Sequence, residues 1–138
     1  MAGIVRFGVS MERELLRRFD ARSRRQGHHN RSEAVRELVR NLLVEEQWAS
    51  AGEVAGTILL VFDHHRRQLP ARILAVQHTL HEVIVSTQHI HCDRHNCLEV
   101  IVFRGPAARV RRLFFRLKSL KGIKYAALAR ATTGRQIA

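Results

Sequence analysis

The sequence predicts an α+β chain of two modules: a strand and two helices, then a strand-helix-strand-strand-helix-strand array. Three observations carry that prediction. Apolar residues alternate at period two near the start and then recur at helical spacing up to about residue 48. A strongly apolar, strand-like run at 54–62 restarts the pattern. Beyond it, helical and strand periods succeed one another to about residue 131, punctuated by glycine and proline. At 138 residues there is room for one medium domain or two small ones.

The first module is expected over residues 1–48. Val5, Phe7, Val9 and Met11 alternate with Arg6, Gly8 and Ser10, a short strand with one apolar face. Ser10 is expected to cap the next helix, with Glu12 and Glu14 in its first turn, where the helix dipole favours acids. Leu15, Leu16 and Phe19 form its apolar stripe, and Gly27 ends it. Asn30 starts a second helix, and Glu33 three residues on has the spacing of a capping box. Val35, Leu38, Val39, Leu42 and Leu43 follow at period 3.6.

So short a module cannot bury that much apolar surface alone, and a lone strand has two free edges. Pairing two copies solves both problems. Two interlocked chains would form an antiparallel ribbon whose polar face fits a DNA major groove, the ribbon-helix-helix arrangement.

Residues 49–53 are expected to link to the second module, residues 54–131. Its first strand spans 54–62. A helix over 67–80 tolerates Pro70 in its first turn and puts Leu69, Ile73, Val76 and Leu80 on one face. Residues 82–91 and 97–103 form a hairpin, and Gly105 and Pro106 break the chain. A helix over 107–121 turns Val110, Leu113, Phe114, Leu117 and Leu120 inward, Gly122 closes it, and 123–129 is the last strand. The order βαββαβ implies a ferredoxin-like sheet with both helices on one face. Residues 132–138 read as a loose tail.

The formal net charge is +12, from 24 Lys and Arg against 12 Asp and Glu, which favours a polyanionic partner such as DNA. Most of the excess lies late: residues 1–50 carry a net of +3 and residues 51–138 a net of +9. Arg109, Arg111, Arg112, Arg116, Lys118 and Lys121 read as the solvated face of one helix. No apolar run is long enough to span a bilayer, and the first residues lack a signal-peptide pattern, so a cytoplasmic location is expected. Two cysteines in a His-rich hairpin then point to metal chemistry more than to a disulfide.

His89 and His91, two apart on a strand, share a face. Cys97 starts the next strand and can swing back to meet them. His78 lies upstream on a helix as a fourth candidate. Three nitrogens and one sulfur suit Ni(II) or Cu(II) in a plane, or Zn(II) in a tetrahedron, and spacing does not choose between them. Four protein ligands leave no open position for substrate, so no enzyme is expected. His81, one turn from His78, and Glu99 are candidates to orient a ligand. Cys92 reads as a spectator thiol. His64, His65 and His95 read as solvated turn or loop residues, and His28 and His29 as facing phosphate or water.

Taken together, the chain resembles the NikR family of nickel-responsive ribbon-helix-helix repressors. The resemblance rests on Asn30, Arg31, Ser32, Glu33 and Ala34, on Gln77 and His78, on His89, Ile90 and His91, and on Cys97, Leu98 and Glu99. It implies an ACT-like metal-binding domain and a homotetramer built as a dimer of dimers. It implies one square-planar Ni(II) per chain, held by His89, His91 and Cys97 with His78 of a neighbouring chain. It also implies double-stranded DNA with a palindromic operator as partner. Arg6, Gly8 and Ser10 would contact bases, while the helix start at Asn30, Arg31 and Ser32 would meet phosphate. Glu33 and Glu37 match a secondary cation site. Gly8 departs from the family, which usually has a polar side chain there. The expected function is repression of nickel-uptake genes. A regulator sensing another divalent metal or a small organic effector, and a metal-buffering protein, are the alternatives.

Overall fold

A computed structural model describes residues 3–138. The chain divides into two compact units between Asn41 and Leu42. In the first, residues 3–12 carry neither helix nor strand pairing. The strand read from their alternation is therefore not laddered within one chain, because a ladder needs a second strand opposite. Its apolar residues lie open, with Val5 83% and Phe7 74% exposed.

Helix α1 spans Arg13–Arg25 and helix α2 spans Arg31–Ala49. The cap position of α1 is Glu12, without a side-chain cap bond. Ser10 is thus not the cap: the helix starts three residues after it, too far on for its hydroxyl to meet the orphan N–H groups. The far end behaves as read. Gly27 sits at φ 83°. Its N–H donates to Arg24 O at 3.1 Å, and the His28 N–H donates to Ser23 O at 3.0 Å. That pair of bonds is a Schellman close, which favours glycine at the left-handed position. Asn30 Oδ1 accepts the Glu33 N–H at 2.9 Å, and Glu33 Oε2 accepts the His29 N–H at 2.9 Å. The capping box therefore forms with its return bond one residue early. Leu38 and Leu42 of the α2 stripe are 54% and 64% exposed.

The second unit holds β1 (Glu53–Asp63), α3 (Leu69–Thr79), a 3-10 turn (His81–Val83), β2 (Ile84–His91), β3 (Asn96–Pro106), α4 (Ala107–Lys118) and β4 (Ile123–Arg130). The sheet order is β2-β3-β1-β4, with every neighbouring pair antiparallel. This is the order expected of a βαββαβ chain. Gly105 and Pro106 do not break β3, since they pair with Val54 and Glu53. Pro106 is tolerated because the β2 pairing ends at Phe103, so the N–H it lacks has no strand partner on that side.

Val54, Ile58, Leu60 and Phe62 of β1 are buried on one face with Ile101 and Phe103 of β3. Against them lie Leu69 and Ile73 of α3 and Val110, Leu113 and Leu117 of α4. Each such side chain contributes roughly 1.5–3 kcal/mol by leaving water. Trp48 belongs to this core too. It is 3% exposed, packs edge-on against Phe103 at 5.8 Å between ring centres, and donates from Nε1 to Ala131 O at 2.9 Å. The end of α2 thus packs with the second unit, although helical periodicity assigned it to the first module.

Candidate metal centre

The register of the sheet builds the site. Cys97 of β3 pairs with His91 of β2 on one side and with Phe62 of β1 on the other. The last turn of β1 and the β2–β3 hairpin therefore meet over Cys97, which is fully buried. Its Sγ lies 3.4 Å from His91 Nδ1 and 3.1 Å from His64 Nδ1. The three donor atoms are all within 4.8 Å of one another. Burial pushes the Cys97 thiol up, helped by the negative charge of Cys92, Asp63, Asp93 and Glu99. A cation placed among these donors would counter both effects, since the thiolate is the ligand form. A buried sulfur flanked by imidazole nitrogens fits a late first-row ion of borderline softness.

His91 and Cys97 come together as the sequence leads one to expect. His89 lies beside them on the same face, its ring centre 5.1 Å from that of His91 and 6.0 Å from that of Phe62. Its Nδ1 is 3.9 Å from Glu99 Oε2, and it stands outside the close triple. Glu99 Oε1 also accepts the side-chain amide of Gln77 at 2.7 Å. One carboxylate thus ties α3, the residue before His78, to the strand face that carries His89. His78 is exposed on α3 and joins neither group of converging donors among the described residues. His81 donates from Nδ1 to His78 O at 3.0 Å, which fixes its tautomer. Cys92 is an exposed free thiol.

His64 lies in the turn after β1, as expected, but it is partly buried against Cys97 rather than solvated. It follows Phe62 by two residues, and its ring turns to the same side as Phe62, toward Cys97. That parity was the available signal. What hid it was the register Phe62 to Cys97, which no local pattern encodes.

The residues expected at DNA lie in the first unit. Arg6, Gly8, Ser10 and Ser32 are exposed. Asn30 is occupied as a cap. Arg31 holds Asp20 with two bonds, Nε to Oδ1 at 3.0 Å and Nη2 to Oδ2 at 2.9 Å. That guanidinium keeps the Asp20 carboxyl below the usual range. Glu33 and Glu37 line a groove with His28, Arg36 and Arg40, and the Glu37 carboxylate bonds the His28 imidazole. No helix among the described residues is long and apolar enough to cross a membrane.

The chain matches two protein families. Residues 55–131 match the NikR C terminal nickel binding domain, and residues 5–46 match the ribbon-helix-helix protein family of the copG type. Among curated proteins, one of Solidesulfovibrio magneticus is 46% identical over 138 residues, 99% of each chain. One of Pyrococcus furiosus is 47% identical over 136 residues, 98% of this chain and 99% of the other. Both carry the name "Putative nickel-responsive regulator". Among solved structures, an uncharacterized protein of Thermotoga maritima superposes with a TM-score of 0.53 at 11% identity. It covers 58% of this chain and 99% of its own, a likeness of fold alone.

Proposed function

The chain belongs to the NikR family of ribbon-helix-helix regulators, and on that premise we propose that it is a nickel-responsive transcriptional repressor, not an enzyme, acting in the cytoplasm on nickel-uptake genes. Residues 1–48 would bind DNA, 49–53 connect, 54–131 bind metal and assemble the tetramer through an ACT-like fold, and 132–138 trail. The observation that carries the reading is the buried Cys97 thiol with His91 Nδ1 at 3.4 Å. His89 on the same face and an exposed His78 free to serve a neighbouring chain would complete a set of one Ni(II) per chain. Bound nickel supplies strong, directional bonds between those donors.

Dimerisation follows from the first unit's apolar surface. Ile4, Val5, Phe7 and Val9 are each more than 60% exposed, a liability that pairing with a second copy removes. The ribbon would then present Arg6, Gly8 and Ser10 to base edges, while the α2 start at Asn30, Arg31 and Ser32 meets phosphate. Two ribbons of a dimer of dimers would meet the half-sites of a palindromic operator. His78 bridging two chains would link metal capture to the placement of those ribbons, and the coupling must be reciprocal. Glu33 and Glu37 would supply a secondary cation site, with His81 and Glu99 steadying the nickel ligands.

A second ligand set replaces His89 with His64, favoured by the 3.1 Å approach of its Nδ1 to Cys97. Nickel titration with absorption spectroscopy separates the two. We expect a sulfur-to-nickel charge-transfer band that is lost in Cys97→Ala and in His89→Ala but kept in His64→Ala. The opposite behaviour of the two histidine variants would establish the second set. Operator binding that ignores nickel in every protein would end the regulatory reading.

A further inference from the structure

A second constellation lies on the solvent side of the same sheet end. Asp63 is the last residue of β1, His65 follows it, and His95 belongs to the β2–β3 turn. The sequence reading treated both histidines as merely solvated. Their Nδ1 atoms lie 3.3 Å apart, and Asp63 Oδ1 lies 3.5 Å from His65 Nδ1. All three donors are within 4.8 Å of one another. The backbone holds them there. The His64 N–H donates to His95 O at 3.1 Å, joining the two loops. The His65 N–H donates to Asp63 Oδ1 at 2.9 Å, and the His95 N–H donates to Asp93 Oδ1 at 2.8 Å. The nearby ammonium of Lys124 is engaged by Asn96 Oδ1 at 2.6 Å.

We propose that Asp63, His65 and His95 form a second metal site, distinct from the Cys97 centre and suited to a tetrahedral divalent ion of the zinc type. Two of the three donor pairs have the spacing of a tetrahedral site. An ion about 2.0–2.1 Å from each imidazole nitrogen would see the 3.3 Å pair at roughly 105–110°. At the same bond lengths the 3.5 Å pair of Asp63 and His65 subtends roughly 115–120°. Both angles are near the tetrahedral value and well away from the right angle of a planar site. The donors are oxygen and nitrogen without sulfur, which suits Zn(II) over softer ions. His65 and His95 are exposed, so the fourth position is open to water. Occupancy would clamp the β1–α3 turn to the hairpin, and those two loops also hold His64 beside Cys97.

The test uses full-length protein carrying Cys97→Ala, with Co(II) as the visible probe for a zinc-type site. The proposal expects one Co(II) per chain with intense tetrahedral d–d absorption and no thiolate band, displaced by Zn(II). His65→Ala or His95→Ala on that background should weaken binding about tenfold or more, while His89→Ala should leave it within about twofold. Binding that is unchanged in both the His65 and His95 variants, or that follows His89 instead, overturns the proposal. The exposed positions of both histidines keep the variants folded, which a circular-dichroism melt verifies. Because the Cys97 thiolate is absent throughout, the outcome does not depend on the nickel reading, whose failure would appear as a missing charge-transfer band in the unaltered protein.

Discussion

Gln77 and Glu99 join across 2.7 Å, amide to carboxylate, between helix α3 and strand β3. Gln77 is buried, and Glu99 also faces His89 from 3.9 Å. The bond therefore fixes the backbone that presents His78 relative to the strand that presents His89. Replacing Gln77 with Leu leaves a largely buried carboxylate short of a donor, at about 1–3 kcal/mol. Thermal melting of Gln77→Leu should show that loss. Its nickel affinity should fall roughly 10–100-fold, as for other partners of ligand groups. Unchanged melting and unchanged affinity together would remove the positioning role.

Gly56 sits where β1 passes between β3 and β4. A Cβ there would lie 2.2 Å from Ala129 O and 2.7 Å from the Phe103 ring. The carbonyl is backbone in a paired strand and cannot step aside. Gly56→Ala should destabilise by about 1–3 kcal/mol through overpacking. Denaturant unfolding of the two proteins measures it as a lower midpoint.

The hairpin that carries the site is set by Asp93. Its carboxylate accepts the Asn96 side-chain amide at 2.9 Å, the Asn96 N–H at 2.7 Å and the His95 N–H at 2.8 Å. Those bonds, led by the Asn96 side chain, lower its pKa from 3.8 to about 2. A depressed carboxylate adds stability that is complete above its unfolded value and is lost as pH falls through the folded one. For Asp93 that window runs from about 4 down to about 2. A carboxyl-carbon NMR titration of the metal-free protein should give a midpoint near 2, and Asn96→Ala should move it upward. A midpoint near 3.8 in both proteins would sink the assignment.

Arg6 lies on the polar side of the alternating N-terminal segment and is exposed. Arg6→Ala should abolish operator binding while leaving the nickel titration unaltered. In the unaltered protein, operator affinity should fall steeply with salt, as counterion release requires. Gel-shift assays across a salt series check both statements. Full operator affinity in Arg6→Ala would remove the ribbon from the DNA interface.

Periodicity and local chemistry determined much of this protein in advance. The order βαββαβ, the glycine close of α1, the asparagine cap of α2 and the shared face of His89 and His91 depend on residues within a few positions of each other, so the sequence displays them. Tertiary structure decided the rest. Trp48 sits at helical spacing in α2, yet its burial depends on Phe103 and Ala131, more than fifty residues away. His64 reaches Cys97, and His65 reaches His95, only because β1 pairs with β3 in a register that sets Phe62 opposite Cys97. Register is a choice among distant hydrogen-bonding partners made by the packing of a whole face, and no short window of sequence contains it.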